Sequence, residues 1–110
     1  SIAPKISKEE ARVKWNTSAK LITNSVRAFS PAPGAWTIYQ GSVLKIGQVG
    51  SVSGVITLKP GEVKIEGKKL LVGTSDTPVE VLRVTPSGKN EMAILDWLNG
   101  ARITNGEFFE

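Results

Sequence analysis

Val26-Arg27-Ala28-Phe29-Ser30-Pro31-Ala32-Pro33-Gly34-Ala35-Trp36 is the stretch at which this 110-residue chain changes character. Pro31 and Pro33 fix φ and lack an amide hydrogen, so neither continues a helix. Each also pushes its predecessor, Ser30 and Ala32, out of the helical region. Gly34 supplies whatever backbone angle the step into Ala35 and Trp36 requires. The stretch is a joint, with a helix expected before it and strands after it.

Working back from the joint, Ala19, Ile22, Val26 and Phe29 recur at helical spacing and form one apolar stripe, with Asn16 or Thr17 as the expected cap. Ser7-Lys8-Glu9-Glu10 has the pattern of a capping box and predicts a short first helix that ends before Trp15. Residues 1–6 are extended, Pro4 discouraging helix, and read as the remnant of an interdomain linker. The domain proper is expected over 7–110.

Working forward, Trp36-Thr37-Ile38-Tyr39 and Val43-Leu44-Lys45-Ile46 flank Gln40-Gly41-Ser42 and predict a hairpin. Gly47 falls where the apolar parity slips, which predicts a bulge or bend. Gly50 to Leu58 is a weaker strand, and Pro60-Gly61 is a turn. Val63 and Ile65 alternate with Lys64 and Glu66, as in a half-exposed strand. Gly67-Lys68 turns the chain into Leu70-Leu71-Val72, and Ser75 to Pro78 turns it again into Val79 through Val84. Pro86-Ser87-Gly88 ends the strands. Met92 to Leu98 reads as a final helix, closed by Asn99-Gly100 as a left-handed cap. About five or six short strands between helical flanks indicate a mainly β fold, a small oligonucleotide-binding-like (OB-like) β-barrel with N-terminal helices and a short C-terminal helix.

Composition narrows the chemistry. The chain holds no histidine and no cysteine. That removes the commonest general acid/base, imidazole triads, thiolate metal sites and disulfides. No catalytic, cofactor-binding or metal-ligating cluster is expected, and Asp76, Glu80 and Asp96 are too scattered to pair. No membrane-length apolar run or signal peptide is present, so a cytoplasmic protein is the expectation. The chain opens on Ser1 without a methionine, which reads as a fragment of a longer protein.

Net charge is +4, from 14 basic against 10 acidic residues. This mild excess favours an anionic partner through long-range steering. Gly88-Lys89 is too short to be a phosphate loop, and there is no dinucleotide or Walker pattern.

Several stretches, in order, resemble methionyl-tRNA formyltransferase. Pro4 to Arg12 resembles the linker and first helix after that family's catalytic domain. The stretch from Arg27 to Ala35 resembles its arginine-alanine-x-x-proline-x-proline-glycine-alanine signature. Pro60-Gly61-Glu62-Val63 resembles its mid-domain turn. Pro86-Ser87-Gly88-Lys89, Met92 and Asp96-Trp97-Leu98-Asn99-Gly100 resemble its closing segment. The chain departs from the family pattern at Lys14, Ala32 and Asn90.

The resemblance implies a C-terminal OB-like domain that helps hold initiator methionyl-tRNA beside the enzyme's own N-terminal catalytic domain. That absent domain would use 10-formyltetrahydrofolate to formylate methionine on the tRNA. The chain itself is expected to be non-catalytic and to need no cofactor, metal or membrane. Its expected RNA-facing residues are Lys5, Lys8, Arg27, Lys45, Lys64, Arg83 and Lys89, whose long side chains can reach phosphates. Each can equally be a solvated charge or pair locally, for instance with Glu9, Glu62 or Glu66, and Arg27 can instead brace the proline-rich turn. Trp15, Trp36 and Trp97 can stack on exposed bases, as in single-stranded RNA binders, but the expectation for all three is packing in the core or between helix and barrel. The alternative function is a packing or interaction domain of a related formyltransferase, acting on sugar nucleotides or formyl-folate, with no RNA role.

Overall fold

The computed structural model describes residues 11–29, 34–52, 58–101 and 103–110. Among these, α1 (Ala19–Phe29) precedes β1 (Ala35–Tyr39), β2 (Ser42–Ser51), β3 (Val63–Glu66), β4 (Lys69–Val72), β5 (Val79–Pro86), β6 (Met92–Ala93) and α2 (Ile94–Ala101). The strands form one antiparallel sheet in the order β1-β2-β5-β4-β3, with β6 paired to β5. The fold is mainly β and OB-like, as the alternation of short strands and turns requires.

Strand parity decides which residues enter the core. Ala35, Thr37 and Tyr39 of β1 and Leu44 and Ile46 of β2 are buried, while the residues between them are partly or fully exposed. Val63, Leu70, Val72, Val79, Val81 and Val84 join the same cluster from the other strands. Fully burying a side chain such as Ile46 or Leu70 stabilises the fold by about 1.5–3 kcal/mol relative to leaving it exposed. The apolar stripe of α1 (Ala19, Ile22, Val26) and the buried residues of α2 (Ile94, Trp97) pack on this cluster. At Gly47 the β2–β5 register shifts, which is the expected bulge.

The two outer strands do not remain open. The Val63 amide donates to Glu107 O (2.8 Å), Gly106 N–H to Val63 O (3.2 Å) and Phe109 N–H to Gly61 O (2.8 Å). A few residues further on, Glu110 N–H donates to Ile38 O at 2.9 Å, on the free edge of β1. Residues 106–110 therefore link β3 to β1 and close the curled sheet into a ring. Gly61 permits this approach, since a Cβ there would lie 2.5 Å from the Phe109 carbonyl oxygen.

Four expectations change. Residues 11–14 are not helical. Ala11 O accepts from Trp36 N–H (3.1 Å) and Val13 N–H donates to Trp36 O (2.8 Å), so this segment runs parallel to β1 as an extra edge. The rest of the predicted first helix, 7–10, lies outside the described residues. The cap of α1 is Ser18, whose Oγ accepts from Leu21 N–H (3.2 Å), and not Asn16 or Thr17. Thr17 instead donates its hydroxyl to Lys14 O. The final helix begins at Ile94, because Met92 and Ala93 pair with Val84 and Arg83 as a short strand. It runs through Gly100 to Ala101, so Gly100 is a helical residue without positive φ, not a left-handed cap.

Two carboxylates tie distant segments together. Asp76 Oδ1 accepts from the Ala19 amide at 2.8 Å and caps α1 from the β4–β5 turn. That bond, then those from Thr74 and Thr77, holds its pKa below the ordinary aspartate value. Glu107 accepts from the Thr104 amide (2.6 Å), Gln40 Nε2 (3.0 Å) and Tyr39 OH (3.2 Å). The Thr104 bond is the main reason its pKa also lies below the usual range.

Both carboxylates prefer the charged form when folded, so their stabilisation is complete above the unfolded values, near pH 4. It is lost as the pH falls through the lower folded values. A series of thermal melts from pH 6 to pH 2 should therefore show a shallower fall in Tm for Asp76→Asn/Glu107→Gln than for the parent. Equal slopes would mean that these carboxylates titrate as in the unfolded chain. At the joint, Gly34 has φ 88° and its amide donates to Phe29 O at 2.9 Å. Gly34→Val should cost on the order of 1–3 kcal/mol in chemical denaturation, and an unchanged midpoint would show that the angle is not required.

Candidate nucleic-acid interface

A single face of the barrel gathers cations around an aromatic ring. Because Leu44 and Ile46 point into the core, Lys45 between them points outward. Its partner on β1 is Trp36, and its partner on β5 is Thr85. The N–H and C=O of Trp36 are engaged with residues 11 and 13 on the opposite edge. Trp36 and Lys45 are thus a non-hydrogen-bonded pair, the kind that brings cross-strand side chains closest.

Arg12, carried by the 11–13 edge segment, places Cζ 5.4 Å from the centroid of the Trp36 ring. That is within cation–π range. Beyond Lys45, the turn after β5 is pinned by Lys89 N–H to Pro86 O (3.0 Å). Lys45 and Lys89 thereby line one open cleft of about 330 Å³ together with Val43, Thr85, Pro86, Ser87 and Gly88. No carboxylate is among the lining residues. Lys89 also borders a neighbouring hollow that includes Asp96.

The other expected contacts fall elsewhere. Arg27 is exposed in the last turn of α1 and lines a separate cleft of about 310 Å³ with Thr23, Val26, Gly47, Gln48 and Val49. Arg83 Nε lies 3.5 Å from Glu91 Oε1, so this cation is already paired, and with a residue other than those considered from sequence. Glu62, one of the suggested partners, accepts from the Lys59 amide instead. Lys64 stands on β3, separated from β2 by β5 and β4 in the sheet order. Lys5 and Lys8 lie outside the described residues.

Sequence reasoning favours packing in the core or between helix and barrel for all three tryptophans, and two of them are in the core. Trp15 and Trp97 are buried and pack with Tyr39 and Phe109 at ring separations of 5.4–6.3 Å. Trp36 is instead half-buried on the outer face. The missed members of the site are Trp36 and Arg12. Strand parity carries the signal for the first, since Ala35, Thr37 and Tyr39 take the inward positions. Nothing comparable marks Arg12, which the capping-box pattern puts in a helix.

Among the described residues, no cluster of acidic, histidine or cysteine side chains could hold a metal ion. No described helix is long and apolar enough to cross a membrane.

The family model for the formyl transferase C-terminal domain matches residues 5–102. This chain belongs to that family. It is 42% identical over 107 residues to the methionyl-tRNA formyltransferase of Salinispora tropica, covering 97% of the chain and 35% of that relative. It is 44% identical over 108 residues to the methionyl-tRNA formyltransferase of a Nocardioides species, covering 96% and 34%. The chain thus spans about a third of the length of the curated relatives it matches.

Among solved structures, HypX from Aquifex aeolicus superposes with a TM-score of 0.76 at 23% identity, over 96% of this chain and 19% of that one. HypX in complex with tetrahydrofolic acid superposes with a TM-score of 0.73. These likenesses establish a shared fold.

The Arg83–Glu91 pair is half exposed on both sides. Surface pairs of this kind contribute about 0–1 kcal/mol. Arg83→Ala and Glu91→Ala should each change stability by less than about 1 kcal/mol, with little coupling in a double-mutant cycle. A larger coupling energy would assign the pair a structural role.

Proposed function

We propose that this domain is the RNA-holding part of a methionyl-tRNA formyltransferase. In this reading it keeps initiator methionyl-tRNA against an N-terminal catalytic domain. That domain transfers the formyl group from 10-formyltetrahydrofolate to the methionine amino group. The observation that carries the reading is the convergence of Lys45 and Lys89 on one carboxylate-free cleft beside Arg12 and Trp36. The match to relatives named as methionyl-tRNA formyltransferases supplies the RNA partner.

The domain contributes position, not chemistry. With no histidine or cysteine anywhere in the chain, formyl transfer falls to the catalytic domain, and these residues supply phosphate contacts. Lysine offers phosphate a mobile point charge. Contacts of that kind set the register of the RNA and carry no sequence information directly. Lys5 and Lys8 would add phosphate contacts of their own, and Arg27 would offer another in its separate cleft beside Gly47. A translation enzyme of this kind works in the cytoplasm.

In the full-length protein that carries this domain, Lys45→Ala/Lys89→Ala should weaken tRNA binding. The dependence of log K on log salt should flatten by roughly 0.7–0.9 for each phosphate that is no longer neutralised. Lys5→Ala/Lys8→Ala should flatten it by the same mechanism. Binding of the formyl donor should be unaffected, and initiator and elongator tRNAs should lose affinity about equally. An unchanged salt slope in the Lys45/Lys89 variant would overturn the reading and leave the domain a packing module for its catalytic partner.

A further inference from the structure

We infer that the outer face of β1 and β2 holds an unpaired nucleobase on Trp36, with the adjoining phosphates at Lys45 and Lys89. The inference deepens the reading above and rests on it, because it names the part of the RNA that this face takes: a single-stranded segment rather than a duplex stem.

Phosphate binding alone has simple needs. Cations on long stems suffice to attract a duplex backbone, and an aromatic ring beside them adds nothing to that task. Here the ring has a place set by the sheet. Trp36 alternates with three buried residues, so its side chain must lie on the outer face. Lys45 stands directly across from it. Arg12 sits over the ring, held there by two backbone hydrogen bonds between its own neighbours and Trp36, Val13 N–H donating to Trp36 O and Trp36 N–H donating to Ala11 O. Outward-facing Ile38 and Val43 are the next cross-strand pair, and Val43 is 41% exposed. Together these residues form a patch with an aromatic and aliphatic floor and a cationic margin.

That combination fits a base with its backbone better than it fits other partners. Every base has a π-face, and unstacked bases are bound on aromatic rings or arginine guanidinium planes. A flat sheet face also leaves the edges of the base open, so binding would tolerate sequence. An apolar peptide would not need three cations, and an acidic peptide would not need the indole. The cleft of about 330 Å³ shared by Lys45 and Lys89 begins at the cross-strand partner of Trp36, where the phosphate following or preceding a stacked base would come.

Tryptophan emission provides the readout, because Trp15 and Trp97 are buried and Trp36 is only half-buried. The 110-residue chain is titrated at low salt with a single-stranded RNA octamer, oligo(U), and with an RNA duplex of equal charge. The octamer should quench emission and the duplex should not. Trp36→Leu should abolish the quench and weaken octamer binding about 5- to 100-fold, with duplex binding changed less than twofold. Trp36→Phe should keep part of the octamer affinity.

If Trp36→Leu fails to fold, the quench in the parent chain and the affinity of Trp36→Phe decide the matter. Equal quenching by octamer and duplex, or no quenching by the octamer, would overturn the inference. So would octamer affinity that survives Trp36→Leu but is abolished in Lys45→Ala/Lys89→Ala, a result that leaves the phosphate-holding reading standing. Octamer and duplex affinities both untouched by Lys45→Ala/Lys89→Ala would instead count against the phosphate-holding reading itself.

Discussion

The structure depends on the closure of its sheet by residues 106–110. An open sheet in the order β1-β2-β5-β4-β3 leaves a row of unpaired backbone groups along both β1 and β3. The terminal segment pairs with β3 through Val63 and Gly61 and with β1 through Ile38. One buried hydroxyl sits at the seam. Trp15 donates its indole N–H to Thr37 Oγ1 (2.9 Å), and Thr37 donates in turn to Glu110 O (2.8 Å). A buried donor or acceptor left without its partner costs about 1–3 kcal/mol, so this chain of bonds fixes three segments at once. Around it, Trp15, Tyr39, Trp97 and Phe109 pack edge-on or tilted against one another.

Closure also explains why the outer face is ordered. The free edge of β1 is divided between two segments, residues 11–13 at Trp36 and Glu110 at Ile38. The first of these carries Arg12 to the Trp36 ring. Parity does the rest, because a register slip of one residue would turn Leu44 and Ile46 outward and Lys45 inward. The same burial that stabilises the barrel therefore presents Trp36 and Lys45 side by side. The α1–barrel contact is held independently, by Asp76 accepting from the Ala19 amide and by Ser75 N–H donating to Thr17 O at the helix start.

Much of this architecture is legible in the chain because it rests on local rules. The positive-φ turn at Gly34, the stripe of α1, the hairpin around Gln40-Gly41 and the bulge at Gly47 each follow from a few neighbouring residues. The parts that are not legible rest on long-range pairing. Ser7-Lys8-Glu9-Glu10 suggests a helix through residues 11–14, yet those residues lie along β1, whose unpaired edge no local pattern announces. Gly100 reads as a stop, but α2 continues through it in ordinary helical geometry. Asp76 reads as an ordinary turn residue, although it caps a helix 57 positions away. Of the cations expected to face RNA, only a fold could separate Lys45 and Lys89, which share a cleft, from Arg83, which is paired with Glu91, and Lys64, which is strands away.

The seam between β1 and the terminal segment joins residues 73 positions apart. Synthesis runs from the N-terminus, so β1 is exposed to the cell long before Glu110 exists. During that interval its outer edge, which the finished barrel covers, is available for pairing with other chains. The hairpins from β1 through β5 can assemble as they emerge, but the ring cannot close until residues 106–110 have left the ribosome. Completion of this domain is in that sense set by the emergence of residues 106–110 and not by the speed at which its strands form.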